Sequence, residues 1–592
     1  MVNSNTSKSS TQWPSNFTVL PGLRTLCFVV LVLLLLSVRV CSASATNIYI
    51  AQSASGSNNG SSCANAYAYS FFNTSRNWGS GSTQIGPGTT VHLCGTFTGA
   101  LYGTLLFFQG SGTSVNPITL LFETGATLTS PVWSNGNNAA SGAINTNGQS
   151  YLVINGGPTC GWNQATLTTT PCNGSIQDTA NGTTLAYQTY TTAIDIVYSS
   201  SYVTVENLGC YNMYQRRGNA TEDPSWNQQH CVMLEGTPGN SPSHITITNN
   251  VFHDGGWLVS DNSYDDYLTI GPGNDFYNAD HDVNGAPPHF YVFGNHMHDW
   301  AIWDSTADAY HHDGIHCFAG AGGNTQAVYI YDNQFDGATG NNMNQFIFLE
   351  GAGSSTTCMV PGGTEYIFNN IMVMDGESPS LAGIYGNSTT GDVNDVFTNN
   401  TMLNNQPSNS QNCEETADSL QATVENNAIG GCGELVAAGG TFSLNNFKVF
   451  DYNAYENCSG YNCWSVAGVD SSSFAVWQAG SCTGSANTCD RHGKANVSSS
   501  TYFALGSGCV PGSVGANCAP VSGSPLIGAG ANLYSICNGQ PNPGLGALCL
   551  DIVGNPRSSS PSQAWDVGAY VSGTSTSANQ PAPPTGLTAT VN

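Results

Sequence analysis

The chain has 592 residues, of which 40% are hydrophobic and only 8% are charged. That composition excludes a disordered polyelectrolyte and a bundle of membrane helices. Ten Lys+Arg stand against 37 Asp+Glu, and the formal net charge of −27 disfavours binding to nucleic acid or to an anionic membrane surface. The 69 glycines follow no Gly-X-Y period, so a collagen-like fibre is excluded as well.

The first 45 residues have the features of an export signal. An apolar run at 26–36 follows Lys8 and Arg24, and a small-residue cleavage site, Ala-Ser-Ala, ends at Ala45. The run is short for a membrane span, so we expect a cleaved signal peptide, with an uncleaved anchor as the alternative. The sequence therefore predicts a secreted protein that has no membrane association after cleavage.

Cysteine usage agrees with export. Eighteen of the 20 cysteines remain once Cys27 and Cys41 leave with the signal peptide, and their spacing does not resemble a zinc site. We therefore expect disulfides in an oxidising compartment. The close pairs are Cys160/Cys172, Cys458/Cys463, Cys482/Cys489, Cys509/Cys518 and Cys537/Cys549.

An internal repeat carries the prediction of the fold. Alternating apolar runs, each followed by an asparagine and a second short apolar pair, recur at Asn207, Asn250, Asn295, Asn333, Asn370, Asn400 and Asn427. In a parallel β-helix, an asparagine at the same bend of every coil can hydrogen-bond to its copies above and below. The drifting spacing predicts coils of constant core with loops of varied length. A β-sandwich with asparagines in its turns is the alternative.

The repeat also predicts the organisation of the chain. Residues 46–150 are expected to form an N-terminal cap and the first coils, and residues 151–460 the β-helix repeats. Residues 461–571 are expected to form cysteine-rich C-terminal coils and a cap. A flexible tail rich in Ser, Thr and Pro is predicted for 572–592.

Four features together resemble the pectate-lyase-like superfamily, which has the pectin-lyase fold. They are the opening NIYIAQSASGS, the segment GTTVHLCGTF, the serial asparagine coils and the ending SPLIGAG…DVGAYV, and they cover roughly residues 46–571. The resemblance implies an all-β protein, a single-stranded right-handed parallel β-helix with an N-terminal cap and a disulfide-rich C-terminal region. It implies no single activity, because that superfamily includes lyases, hydrolases, epimerases and non-catalytic proteins.

Ionisable residues crowd one stretch of the chain. Eight of the 12 histidines fall between His253 and His316, together with eleven aspartates. Aromatic residues that could stack on sugar rings accompany them, namely Trp257, Trp300, Trp303 and Tyr310. The alternative is a solvated cluster of polar loops.

Strand alignment suggests a pair of carboxylates. Matching DYLTI with DGIHC places Asp266 and Asp313 at equivalent positions of neighbouring coils, with His230 and Gln345 on the coils to either side. One coil step of about 5 Å and two of about 10 Å bracket the carboxylate separations of retaining and inverting glycosidases. A structural role at the strand starts, or binding of calcium, is the alternative.

The expected catalytic residues are carboxylates on these strands, tuned by neighbouring histidines. The full set is Asp265, Asp266, Asp313, Glu350, His312 and His316, with Glu235, Trp257, Trp300, Trp303 and Tyr310 as substrate-binding residues. The stretch HHDGIHCF is similar to strands of β-helix carbohydrate-active proteins of the polygalacturonase type. The N-T-D, G-H-G and R-I-K motifs of that type are absent, so the likeness extends only to Asp313 with His312 and His316.

The sequence thus predicts a secreted, monomeric polysaccharide-degrading enzyme, a glycoside hydrolase. Two alternatives remain: a lyase or epimerase that uses His and Tyr, and a non-catalytic glycan-binding or adhesion protein. No cofactor is required by this interpretation, and the metal ligands are unknown. Structural Ca²⁺ on acidic loops is an open alternative, although no loop has the EF-hand spacing.

Overall fold

The fold is seen in a computed structural model that describes most of the chain. The residues described are 46–133, 142–158, 160–163, 168–179, 191–213, 229–235, 240, 242–254, 265–270, 289–300, 312–317, 327–340, 343–350, 362–376, 380–385, 394–404, 412–417, 421–438, 446–458, 460, 462–466, 469–481, 489–515 and 517–573. The predicted signal peptide, most of the predicted tail and the pair Cys482/Cys489 lie wholly or partly outside them.

Short strands dominate the described residues. The first twelve are β1 (Thr46–Ala51), β2 (Tyr67–Ala68), β3 (Thr89–Cys94), β4 (Thr96–Thr98), β5 (Leu106–Phe107), β6 (Ile118–Phe122), β7 (Thr127–Ser130), β8 (Ile144–Asn145), β9 (Leu152–Asn155), β10 (Gly161–Asn163), β11 (Thr168–Thr170) and β12 (Gly174–Asp178). The next sixteen are β13 (Thr191–Val197), β14 (Ser201–Glu206), β15 (Leu208–Tyr211), β16 (Gln229–Glu235), β17 (Ser243–Thr248), β18 (Val251–His253), β19 (Asp265–Ile270), β20 (His289–Phe293), β21 (His296–His298), β22 (His312–Cys317), β23 (Ala327–Tyr331), β24 (Gln334–Asp336), β25 (Ala338–Gly340), β26 (Met343–Glu350), β27 (Thr364–Phe368) and β28 (Ile371–Gly376). The last twelve are β29 (Ser380–Tyr385), β30 (Asn394–Thr398), β31 (Thr401–Asn404), β32 (Asn412–Ala417), β33 (Gln421–Glu425), β34 (Ala428–Gly430), β35 (Glu434–Ala438), β36 (Phe447–Asp451), β37 (Ala454–Glu456), β38 (Trp464–Val466), β39 (Val469–Ser471) and β40 (Lys494–Asn496).

Helices are few and short in the same part of the chain. The α-helices are α1 (Phe474–Val476) and α2 (Tyr534–Cys537); the 3₁₀ turns are Cys63–Asn65, Tyr69–Phe71, Ser75–Asn77 and Leu545–Cys549, and Trp477–Ser481 is a π turn. None of the helices in the described residues has the length and hydropathy needed to cross a membrane.

The strands stack into three long sheets. The first sheet runs β2-β1-β3-β6-β9-β14-β17-β20-β23-β27-β30-β33-β36. The second runs β4-β7-β12-β15-β18-β21-β24-β28-β31-β34-β37-β40, with β25 beside β28, and the third runs β5-β8-β13-β16-β19-β22-β26-β29-β32-β35-β38-β39. The described pairings are parallel except β10–β11, β38–β39 and a few isolated bridges. The predicted fold is confirmed: a single-stranded right-handed parallel β-helix.

Identical positions of successive coils fill the core. On the first sheet one column of aligned, buried side chains runs through Ile48, Val91, Leu120, Ile154, Val205, Ile247, Val292, Ile330, Ile367, Phe397, Val424 and Phe450. Alternation along each strand points these residues to one face, and burial of each contributes roughly 1.5–3 kcal/mol. The predicted alternating runs therefore build the inside of the coil.

The asparagines form a continuous ladder at the bend between the first and second sheets. The backbone N and Nδ2 of Asn333 both donate to Asn370 Oδ1 at 3.1 Å, and the same pair of bonds joins each rung to the next. The buried rungs are Asn250, Asn295, Asn333, Asn370, Asn400, Asn427 and Asn453. The residue directly before each of these rungs has positive φ. Asparagine tolerates that conformation well.

Two positions of the ladder differ from the prediction. Asn207 is not a rung: it has φ 57° and lies one residue earlier in its bend, where Leu208 N donates to Asn250 Oδ1 instead. At the other end the ladder continues past Asn427 to Asn453, and Asp490 Oδ1 accepts the last two hydrogen bonds. The prediction for Asn207 is wrong by one residue, because Glu-Asn at 206–207 resembles Asn-Asn when strands are aligned by pattern alone.

After β40 the chain packs on the outside of the coils that precede it. Phe503, Leu526, Val567 and Tyr570 lie against the outer face of the second sheet, on Ile371 and its neighbours. Leu533, Leu548 and Trp565 lie against Tyr331 and Phe368 of the first sheet. The described residues of 497–573 contain no further coil, so this segment covers two faces of the β-helix.

Disulfides close loops throughout. Four of the expected close pairs are confirmed: Cys160–Cys172, Cys458–Cys463, Cys509–Cys518 and Cys537–Cys549. Three longer-range bonds were not predicted: Cys63–Cys94, Cys210–Cys231 and Cys413–Cys432. Sequence spacing cannot show these three, because coil stacking brings their cysteines together.

Candidate functional site

The predicted carboxylates occupy one column of the third sheet, here called the Asp column. His230 pairs with Asp266, Asp266 with Asp313, and Asp313 with Gln345, so the predicted alignment is confirmed. Asp313 and His230 are fully buried and Gln345 nearly so. A register irregularity falls between His312 and Asp313. Adjacent backbones of a parallel sheet lie about 4.8 Å apart.

The other predicted catalytic residues lie on the same sheet at different levels. His312 pairs with Asp265 at the start of β22, and His316 pairs with Thr269 near its end. Glu350 is the last residue of β26, five positions beyond the rung of the Asp column, which corresponds to roughly 16 Å along a strand. Glu235 ends β16, three coils away from Glu350. The third sheet therefore brings Asp266 and Asp313 together and leaves Glu235 and Glu350 apart from them.

The predicted aromatic platform is only partly described. Trp300 is fully buried in the core, with its ring 5.3 Å from that of Phe346, so its faces are not open to a sugar. Trp257, Trp303 and Tyr310 lie outside the described residues.

A second candidate site lies on the outer face of the second sheet. Tyr211, His253, His298 and Asp336 occupy the same position of the consecutive strands β15, β18, β21 and β24, and we call them the His–Asp column. The rings stack: centroids of Tyr211 and His253 are 4.9 Å apart, those of His253 and His298 4.8 Å apart, with planes within 13°.

A carboxylate orients each of the two histidines. His253 Nδ1 lies 2.7 Å from Asp254 Oδ2, and His298 Nδ1 lies 2.8 Å from Asp299 Oδ2. Both aspartates have positive φ, 51° and 60°, which turns each side chain back towards the preceding ring. A carboxylate at Nδ1 assigns the proton to that nitrogen, so in the neutral rings the lone pair is at Nε2.

Burial and hydrogen bonds tune these groups. Burial lowers the pKa of His298, and the neighbouring His296 acts in the same direction, so its imidazole is neutral at neutral pH. Burial alone would raise the pKa of Asp299, but hydrogen bonds from His298 and from the Ala338 amide hold it below its ordinary value. Asp299 is therefore ionised beside a neutral histidine.

One end of the column is buried and the other is accessible. Asp336 is fully buried and accepts hydrogen bonds from His296 Nε2 at 2.7 Å, from Gln334 Nε2, and from the backbone of Gly515 at 2.8 Å. Side-chain exposure then rises from 11% at His298 to 28% at His253. Among the described residues, the segment that covers the second sheet contacts the column at Asp336, and His253 and Tyr211 are partly exposed.

This arrangement suits proton transfer. A neutral imidazole whose Nδ1 is held by a carboxylate is a general base at Nε2, and a tyrosine beside it is a proton donor. No group of three or more metal-ligating side chains occurs within the described residues.

His253 and His298 belong to the histidine cluster seen in the sequence, but neither is among the catalytic or substrate-binding residues predicted from it. Their signal is the dipeptide His-Asp, which occurs after the asparagine bend in both NNVFHD and GNHMHD. Equal offsets from two ladder rungs place both histidines in one column.

Comparisons with known proteins give distant structural matches. The pectate lyase Pel9A matches with a TM-score of 0.41 and 14% identity, over 90% of this chain and 97% of that one. A mutant of AlyGC, an alginate lyase of polysaccharide lyase family 6, matches with a TM-score of 0.28 and 12% identity, over 64% of this chain and 51% of that one. A mannuronic acid specific family 6 lyase from human gut microbiota matches with a TM-score of 0.23 and 14% identity, over 63% and 83%. No protein-family model and no curated protein sequence matches.

Proposed function

We propose that this chain is a secreted polysaccharide-degrading enzyme that cleaves a uronate-containing polymer by elimination at the His–Asp column. The observation that carries the proposal is the pair of stacked imidazoles, His253 and His298, each bonded through Nδ1 to a carboxylate. The proposal takes up the His/Tyr lyase alternative in place of the expected glycoside hydrolase, because this site has two imidazoles held by carboxylates and a tyrosine side by side.

In the proposed reaction, His253 Nε2 removes the proton on the carbon next to the uronate carboxyl group. The released electron pair forms a C4–C5 double bond as the bond from C4 to the glycosidic oxygen breaks. The Tyr211 hydroxyl, whose ring stacks on His253, donates a proton to the leaving oxygen. Asp254 stabilises the imidazolium that forms, and water returns the proton from His253 to Tyr211.

A hydrolase is the second candidate, because Asp266 and Asp313 pair on adjacent coils, but Asp313 is fully buried, which favours the His–Asp column. A carboxylate pair one coil apart has about the spacing of a retaining glycosidase. The two candidates use different sheets, so single substitutions separate them.

The test incubates the purified chain with a panel of acidic and neutral polysaccharides and follows reducing ends and the ultraviolet absorbance of unsaturated products together. We expect both signals to rise with an acidic polymer, to vanish in His253→Ala, and to persist in Asp313→Asn. Reducing ends without absorbance, abolished in Asp313→Asn, would establish the hydrolase. Silence in both signals with glycan binding retained would favour the adhesion alternative.

A further inference from the structure

The loop closed by Cys509–Cys518 lies on the buried end of the His–Asp column. The Cα atoms of its two cysteines are 4.6 Å apart, and the backbone of Gly515 donates from within it to Asp336 Oδ2 at 2.8 Å. Gly515 has φ 76°, a conformation that favours glycine. Gly515 and Asp336 are 179 positions apart, so this bond joins the segment after the last coil to the middle of the β-helix.

Asp336 receives hydrogen bonds from two parts of the chain. His296 Nε2 and Gln334 Nε2 reach it from within the second sheet, and Gly515 reaches it from the loop. Burial alone would raise the pKa of Asp336, but the neighbouring His296 and the hydrogen bonds from His296 and Gln334 hold it below its ordinary value. An ionised, fully buried carboxylate with several donors has a fixed orientation.

The orientation of Asp336 passes to His298 through His296. The His296 ring is bonded to Asp336, and its centroid lies 4.5 Å from that of His298. The charged or titratable groups that act on His298 are Asp299 on its own strand end, His296 on its own strand, His253 on the preceding coil and Asp336 on the next one. Three of these four are fixed by bonds within the coils, and the fourth, Asp336, is also held by the loop.

We propose that the Cys509–Cys518 loop completes the His–Asp column: through Gly515 it fixes Asp336, and through the His296–Asp336 pair it positions the His298 ring. Asp336 and Gly515 are thus positioning residues. The effect on catalysis rests on the proposed function, but the effect on the ring does not.

The C-terminal segment is attached to the β-helix at several places besides this loop, although Cys518 itself belongs to the buried cluster on the second sheet. The second sheet is covered by Phe503, Leu526, Val567 and Tyr570. The first sheet is covered by Leu533, Leu548 and Trp565. Arg557 Nη2 also donates to Asn369 Oδ1 at 2.9 Å. Opening the loop should therefore leave these other attachments in place while it loosens the hold on Asp336.

The experiment labels the full chain with ¹³C-histidine and compares two double variants. Cys509→Ser with Cys518→Ser opens the loop on the column, and Cys537→Ser with Cys549→Ser opens a matched loop on the first sheet. The His298 signal is assigned with His298→Gln. In the first variant we expect that signal to move and its titration midpoint to shift, with a loss of roughly tenfold to a hundredfold in kcat/KM, because a displacement of about 1 Å can reduce rate a hundredfold. The second variant should leave both readouts unchanged.

An unchanged His298 signal in the first variant, or an equal change in both variants, would overturn the inference. A shifted signal in a chain that shows no elimination activity would support the positioning role and refute the proposed function. If circular dichroism shows that the first variant does not fold, Asp336→Asn replaces it with the same readouts.

Discussion

His253 and His298 lie on successive coils and stack ring against ring, with centroids 4.8 Å apart and planes 10° apart. Each ring is held through Nδ1 by the aspartate that follows it. The two Nε2 atoms are therefore chemically equivalent and lie one coil step apart. The β-helix produces this repetition because every coil places equivalent residues in one column. A polymer lying along the axis would meet bases at a regular spacing.

Asp254→Asn tests the tautomer of His253. An amide at this position can donate to Nδ1, which would move the ring proton to Nε2 and abolish the base. We expect kcat/KM to fall by roughly a hundredfold or more while substrate binding is retained. Steady-state kinetics measure the change, and Asp470→Asn, at an exposed carboxylate distant in sequence, is the control. Equal kinetics in both variants would remove Asp254 from the site.

Salt should strengthen binding of an acidic polysaccharide. The chain has a net charge of −27, so a polyanionic substrate is repelled at low ionic strength. Ions screen that repulsion over about 10 Å at 0.1 M. We therefore expect KM for a uronate polymer to fall between low and moderate salt, with little change for a neutral polymer. A KM that rises with salt would indicate a local basic or metal-bound subsite.

Asn333→Ala should destabilise the ladder strongly. Asn333 Oδ1 accepts from the backbone and side chain of Asn295, and its Nδ2 donates to Val292 O at 2.9 Å. Truncation leaves these buried groups without their partner, at a cost of about 3 kcal/mol in the free energy of unfolding. Urea unfolding measures the change. The exposed Asn59→Ala is the control and should alter stability by less than about 0.5 kcal/mol.

Two acids buried inside the first sheet make stability depend on pH. Glu365 and Asp395 pair on adjacent coils, and burial raises the pKa of Glu365 to about 8 and that of Asp395 well above its ordinary value. The folded state therefore keeps protons that the unfolded state loses above about pH 4.5, so stability falls as pH rises from there towards 8. Glu365→Gln with Asp395→Asn should flatten this fall and raise the Tm at pH 8. An unchanged pH dependence of Tm would show that another group causes it.

Asp490 ends the asparagine ladder and should behave similarly. It is fully buried, accepts from Asn453 N at 3.0 Å, and burial raises its pKa to about 7 despite that bond and one from Tyr455. Between about pH 4 and pH 7 the folded state retains its proton, so stability decreases as pH rises through this window. Asp490→Asn keeps the acceptor and removes the charge. We expect a gain in Tm that is larger at pH 8 than at pH 5, measured by calorimetry; an equal gain at both would exclude ionisation as the cause.

The sequence by itself determined the coil, because alternating apolar residues and a recurring asparagine act between a residue and its copy on the next coil. Asn250 and Asn295 are rungs for that reason, and Asp266 and Asp313 align for the same one. Even there the pattern predicts a rung at Asn207, one residue before the true position, since a shift of one residue decides which side chain reaches the ladder.

Only the tertiary structure decided which columns are covered and which are open. The sequence predicts Trp300 as a substrate-binding aromatic residue, but its side chain is buried in the core. His253 and Asp336 belong to one column, but the first is partly exposed and the second is buried beneath a segment that begins beyond the last coil. Such contacts join residues far apart in the chain, and their energy depends on surfaces that exist only after the coils have stacked. No local pattern encodes them.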